Sequence, residues 1–175
     1  MSSVETASTP QTNPFWTFSL GYYRGAGVSE ACLELQDNCG VDVNVMLFLL
    51  WQATLKRQLG ATQVKALAEK VGPWQIDVIG PIRGLRRMLK GNAPLLDKGP
   101  AELFRTRIKA IELESERLQQ EAMFALAVGL ATENAPTVEV AARANVAAYE
   151  QALGRTLAPD AVSVLVTALP ASESA

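Results

Sequence analysis

Residues 42–60 read DVNVMLFLLWQATLKRQLG. From Val43 to Trp51 every residue except Asn44 is apolar, so a helix over this run has almost no polar side. Such a helix must have other elements packed around it. Asp42 supplies an N-cap and Gly60 a stop, which predicts a helix from Val43 to about Leu59 at the centre of a bundle. A membrane span needs about 20 apolar residues, and this run is too short to be one.

The punctuation on either side predicts more helices. Asn13-Pro14 opens a short aromatic helix, Phe15 to Arg24, that Gly25 and Gly27 end. Ser29 is the expected cap of the next, which Gly40 closes, with Val28, Ala31, Cys32, Leu35 and Cys39 on one side. Thr62 caps a short helix to Val71. Pro73 starts another, Trp74 to Lys90, and Gly80-Pro81 is expected to kink or split it. After a loop from Gly91 to Gly99, Pro100 opens the longest helix, roughly to Ala131, with an apolar stripe of Phe104, Ile108, Ile111, Leu118, Ala122 and Ala125. Thr137 caps a helix whose Val138, Ala142, Val146, Tyr149 and Leu153 share a side, and Asp160 caps a last one to Leu169. No strand pattern competes.

The expected fold is all-α: a single-domain antiparallel helical bundle of about seven to eight helices around a central apolar helix. It occupies residues 14–170, with flexible tails at 1–13 and 171–175. The N-terminus has no basic residue before Arg24 and no long apolar stretch, so no secretory signal is expected and the protein reads as cytoplasmic, with no membrane role.

Charge is distributed unevenly. Twelve of the sixteen Lys and Arg residues lie between Lys56 and Lys109 with only four acids, so 12 − 4 = +8 there, against 4 − 14 = −10 elsewhere and −2 in total. Either the parts neutralise each other or the basic part meets an anionic partner. There is no histidine, so no Ser-His-Asp or Cys-His unit can form within the chain. Cys32 and Cys39 are too few for a zinc site, and seven residues apart on one helix they are too distant for a disulfide. Neither common nucleotide-binding glycine loop is present. No metal and no cofactor is expected.

Three constellations stand out. Arg83, Arg86, Arg87 and Lys90 in PIRGLRRMLKGN share an arc of about 100° on a helical wheel, opposite Val78, Ile82, Leu85 and Leu89. Arginine's planar donors suit phosphates and carboxylates, so this ridge could dock a protein, an anionic assembly or RNA. The plainer reading pairs it internally with Glu112, Glu114 and Glu116, or leaves it as a solvated face. The second is LQDNCGVDVN, with Asp37, Asp42 and Asn44. Two carboxylates across a glycine-containing turn could hold Mg²⁺ or perform acid–base work, although helix ending and capping alone explain Asp37 and Asp42. Asn44, on an apolar helix, must bond a buried group or line a pocket. The third is the aromatic set Phe15, Trp16, Phe18, Tyr22 and Tyr23, which either lines a pocket or packs on the bundle with its hydroxyls at the rim.

The segments CLELQDNCGVDVN and PIRGLRRMLK, within a likeness spanning Phe15 to Leu153, resemble a family of small uncharacterised bacterial proteins, a conserved domain of unknown function. The resemblance implies a cytoplasmic, single-domain helical protein and supplies no activity. The leading expectation is a non-enzymatic adaptor that binds a protein or anionic assembly through Arg83 to Lys90. The alternatives are a pocket joining Asp37, Asp42 and Asn44 to Arg83 and Arg87 around a phosphorylated or carboxylated metabolite, or RNA binding. The sequence leaves the oligomeric state open.

Overall fold

A computed structural model describes residues 13–91, 95 and 97–170. The expected tails, apart from Asn13, and part of the expected loop after Gly91 lie outside the described residues. Among the described residues eight α-helices follow in order: α1 (Pro14–Tyr22), α2 (Val28–Cys39), α3 (Val43–Thr54), α4 (Ala61–Trp74), α5 (Gly80–Met88), α6 (Lys98–Ala127), α7 (Val138–Leu153) and α8 (Pro159–Thr167). The fold is an all-α bundle. Among the described residues the one exception is a two-residue antiparallel ladder, β1 (Arg57–Gln58) against β2 (Glu133–Asn134), which the sequence pattern does not predict.

The apolar helix is central. Ten of the twelve residues of α3, Asn44 to Ala53, are buried. Its principal neighbour is α7, with α1, α2 and α6 also packed on it. The Phe15 ring lies 5.4 Å from both Phe48 and Trp51, edge-on to the first and stacked on the second. Each such side chain taken out of water contributes about 1.5–3 kcal/mol, so this cluster fixes where α1 sits.

Asn13, Asp42 and Thr137 cap as their sequence positions predict, each side-chain oxygen accepting backbone N–H groups of the first turn. Ser29, Thr62 and Asp160 do not. The helices there begin earlier, after Gly27, Gly60 and Ala158, and the Ser29 hydroxyl instead donates to Glu30 at 2.8 Å. The third helix stops at Thr54 rather than near Leu59. Lys56 takes a left-handed φ of 56° and turns the chain into β1. Fully buried Asn145 of α7 holds that turn: its oxygen accepts the Leu59 N–H at 2.8 Å, and its amide donates to the carbonyls of Leu49 and Arg57 at 2.9 and 3.0 Å.

Pro73 starts no helix but lies inside α4, and next to Gly80-Pro81 the α-helix is interrupted by a π-turn. From Ala61 to Met88 helical winding is continuous, its middle, Gln75–Ile79, being a π-turn. A proline at 81 has no N–H and would press its ring on the carbonyl four residues back; the wider turn relieves both problems. The Gly80 N–H bonds Gln75, five residues back, and a Cβ at Gly80 would lie 3.1 Å from that carbonyl oxygen.

The largest departure from expectation lies in α5 and α6, which pack on each other with their polar sides inward. Of the expected apolar stripe of α6 only Ile108 is buried; Phe104, Ile111 and Leu118 are about half exposed, and Ala122 and Ala125 are exposed. Buried or half-buried in their place are Glu112, Ser115, Glu116, Gln119 and Gln120. On α5, Leu85 and Met88 face solvent while Arg83 and Arg86 turn inward. The physical reason is mutual: two arginines on one helix and two glutamates four residues apart on the other satisfy each other only if both polar faces meet.

Candidate functional site

That inverted contact forms one wall of a cleft of about 430 Å³. Helix α1 contributes Trp16, Ser19 and Leu20, with Tyr23 and Arg24 just beyond it. Helix α2 contributes Leu33 and Gln36, and α3 contributes Val43, Asn44 and Leu47. The opposite wall holds Arg83, Arg86 and Arg87 of α5 with Lys109, Glu112, Leu113, Glu116 and Gln120 of α6.

Arg83 is the hub. Its Nε donates to Glu112 at 2.8 Å, its Nη2 to Glu116 at 2.6 Å, and its Nη1 to the side-chain oxygen of Gln36. Arg86 donates to both oxygens of Glu112, so that carboxylate is clamped by two guanidiniums. Arg87, half exposed, reaches Asp37 of α2 at 3.3 Å. Lys90 follows α5 on the surface. The expectation of four cations turned outward from an apolar back is therefore corrected: Arg83, Arg86 and Arg87 each meet a carboxylate of their own chain. Glu112 and Glu116 are partners, as the plainer reading has it. Glu114 instead pairs with Arg117 at 2.6 Å.

The two acids of the wall differ. Burial pushes Glu112 up, but Arg86 and Arg83 outweigh it and hold its carboxyl below the usual range. Burial dominates at Glu116, where a single arginine does not compensate and the neighbouring charge of Glu112 adds to the effect, so its carboxyl lies above the usual range. Arg83 loses by desolvation and gains more from Glu112 and Glu116, so its guanidinium is held more firmly protonated.

The second constellation divides. Asp37 is on the surface, in the pair with Arg87. Asp42 caps α3 and does not line the cleft; burial raises its carboxyl against the hydrogen bonds it accepts. Its backbone N–H donates to the Tyr149 hydroxyl at 3.0 Å. Asn44 does line the cleft, and it continues a chain of amides from Asp42. The Gln119 amide donates to Asp42 at 2.9 Å, Asn44 donates to Gln119, and Gln120 donates to Asn44 at 2.8 Å. The aromatic set divides too. Trp16 and Tyr23 line the cleft, while Phe15 is core and the Tyr22 hydroxyl is buried on the Leu165 carbonyl rather than at the rim.

Reading the sequence by residue type misses Ser19, Lys109, Gln119 and Gln120. The available signal was spacing: Glu112, Glu116 and Gln120 recur every four residues, with Ser115 and Gln119 beside them, which puts one polar stripe on one helix face. Among the described residues no cluster of three His, Cys, Asp or Glu side chains is placed to hold a metal ion, and no helix is long and apolar enough to cross a membrane.

No match was found among curated proteins or among solved structures. Residues 14–123 do match a family described as a protein of unknown function (DUF2390), and that span contains every residue lining the cleft, α7 and α8 falling outside it. With more than half of its length matched, the chain belongs to that family.

Proposed function

We propose that the protein binds a small anionic metabolite, a carboxylate or a phosphate, in the cleft between α1, α2, α3, α5 and α6. The observation that carries this reading is the charge of the lining. Arg24, Arg83, Arg86, Arg87 and Lys109 stand against Glu112 and Glu116, so 5 − 2 = +3, in a chain whose net charge is −2. Apolar walls keep the local dielectric low and focus that field on a ligand. An arginine carries five N–H donors, and the internal bonds use three on Arg83 and two on Arg86, so both retain donors for a ligand while the carboxylates fix their orientation. Trp16, Leu20, Tyr23, Leu33 and Leu113 offer apolar surface for a carbon skeleton. The volume falls in the range of about 300–1,000 Å³ usual for small-molecule sites. Glu116, with its raised carboxyl, is the group on this wall best suited to exchange a proton with a bound ligand.

This reading is preferred to docking of a protein or RNA on the Arg83–Lys90 ridge. Such docking needs an outward-facing cationic ridge, whereas Arg83 and Arg86 turn inward onto Glu112 and Glu116 at the cleft wall, and of the four only Arg87 and Lys90 are on the surface. The test is a thermal-shift panel of phosphates and carboxylates on the wild type and on Arg24→Glu with Lys109→Glu, two exposed positions. The double variant takes the lining from +3 to −1. Anions are expected to raise the melting temperature of the wild type, as any ligand of the folded state must, and to have no effect on the variant. Equal stabilisation of both proteins would refute the reading.

A further inference from the structure

Because α6 turns its polar side inward, its apolar stripe is left on the outside of the bundle. Phe104, Ile111 and Leu118 recur every seven residues and are 43%, 52% and 42% exposed. Ala122 and Ala125 continue the line and are exposed as well. From Phe104 to Ala125 it runs for about 32 Å along the helix. On the helical wheel it lies across α6 from Lys109, Leu113 and Glu116, which line the cleft, so the two surfaces are separate. A charged row flanks the stripe on its outer side: Arg107, Glu114 and Glu121 each follow one of its large residues by three positions. Arg117 bonds Glu114 and Glu121 within the chain, while Arg107 makes no ion pair among the described residues. An exposed apolar line of this length, bordered by charge, marks an interaction surface.

We infer that this face of α6 pairs with the same face of a second copy of the chain, the two helices running antiparallel about a two-fold axis level with Glu114 and Ser115. The stripe complements itself in that arrangement. Ile111 of each copy lies against Leu118 of the other, and at both ends the large Phe104 lies over the small Ala122 and Ala125. A two-fold of this kind also sets like flanks side by side, so Arg107 of each copy meets Glu121 of the other and gains the carboxylate it lacks in its own chain. Glu114 comes close to its own copy near the axis, where Arg117 of each chain neutralises it. Parallel pairing fits worse. It would set Phe104 on Phe104 and Ala125 on Ala125, and would turn the charged row toward the uncharged flank of Ile108, Ser115 and Ala122. One helix from each copy makes a contact at the small end of specific interfaces, so the dimer is one that separates on dilution.

The experiment is sedimentation velocity on the full chain over about two orders of magnitude in concentration. The wild type is expected to pass from monomer to dimer as concentration rises. Ile111→Glu, at an exposed position, is expected to keep the melting temperature of the monomer and to weaken the dimer about tenfold or more. Arg107→Glu and Glu121→Arg should each weaken it too, because each sets like charges across the contact. An equimolar mixture of those two variants should associate as the wild type does, since in the mixed dimer the altered positions meet each other with opposite charge and so do the native ones. A wild type that stays monomeric throughout would overturn the inference, and the stripe would then be left to a different protein. A dimer indifferent to Ile111→Glu would place the contact elsewhere. A dimer sensitive to Ile111→Glu but not restored in the mixture would overturn the antiparallel register.

Discussion

Replacing Arg83 by Met tests whether the polar contact between α5 and α6 holds the site together. The substitution preserves much of the aliphatic stem and deletes the charge that links Glu112, Glu116 and Gln36. Glu112 keeps Arg86, but Glu116 loses the only cation with which it pairs among the described residues. Removing one partner of a buried ion pair costs about 3–5 kcal/mol. Here the Arg83 and Glu116 side chains retain 16% and 25% exposure, so solvent offsets part of that and about 2–4 kcal/mol is expected at neutral pH. For a chain of this size that corresponds to a fall in Tm of roughly 5–15 °C.

The loss should depend on pH in a defined direction. Burial already holds the Glu116 carboxyl above its usual range, and Arg83 opposes the shift; without Arg83 the carboxyl rises further. An acid whose folded pKa exceeds its unfolded value favours the folded state below the unfolded value, and that advantage is lost as the pH rises through the folded one. Arg83→Met is therefore expected to cost more near pH 8 than near pH 5. Adding Glu116→Gln should recover about 1 kcal/mol or more at the higher pH. Urea denaturation of the two variants and the wild type at both pH values is the assay. A cost below about 1 kcal/mol, equal at the two pH values, would refute the claim that these bonds organise the wall.

Three further outcomes are expected. Asn145→Ala strands the Leu59 N–H and removes the side-chain bonds to the Leu49 and Arg57 carbonyls, and at about 1 kcal/mol for each bond it should lower stability by about 3 kcal/mol in urea; a loss under about 1 kcal/mol would mean the turn does not depend on Asn145. Anion affinity should rise as the pH falls toward the carboxylate range, because Glu116, raised by burial, takes up a proton there and the lining gains one positive charge. Glu116→Gln should bind more tightly at neutral pH with a flatter profile, and an unchanged profile would count against its place in the site. Burial pushes the Cys32 thiol up to about 12, so thiol reagents at about pH 8 should modify it only after denaturation. Rapid loss of both thiols in the native protein would show that α2 opens locally.

The structure departs from the sequence patterns where polar groups chose each other. The stripe drawn through Phe104, Ile111 and Leu118 assumes that the apolar side of a helix faces inward. Half-exposed as they are, these residues show that rule overridden by the pairing of Glu112 and Glu116 with Arg83 and Arg86. The arc common to Arg83, Arg86 and Arg87 was legible, because it depends on spacing within one helix. The direction in which it points was not, because that depends on what the neighbouring helix presents. The capping errors have a local cause: Gly27 and Gly60 let the chain enter a helix with no side-chain cap, so Ser29 and Thr62 fall inside the first turn instead of before it. Reading Pro73 as a helix start fails because α4 runs through it to Trp74, and the interruption expected at Gly80-Pro81 takes the form of a π-turn, Gln75–Ile79, rather than a break in the winding.

The all-α class and the central place of Val43–Trp51 follow from the sequence alone, since a helix with no polar side has one stable environment whatever surrounds it. Asn44 was marked for the same reason: an amide on that helix has to find a partner. Which partner it found, and that Asp42, Gln119 and Gln120 extend it to the floor of a cleft, depended on the packing of α6 across α3. The candidate site is likewise a product of tertiary structure, because the cations of α5 and the carboxylates of α6 lie on separate helices and acquire a common geometry only when those helices meet.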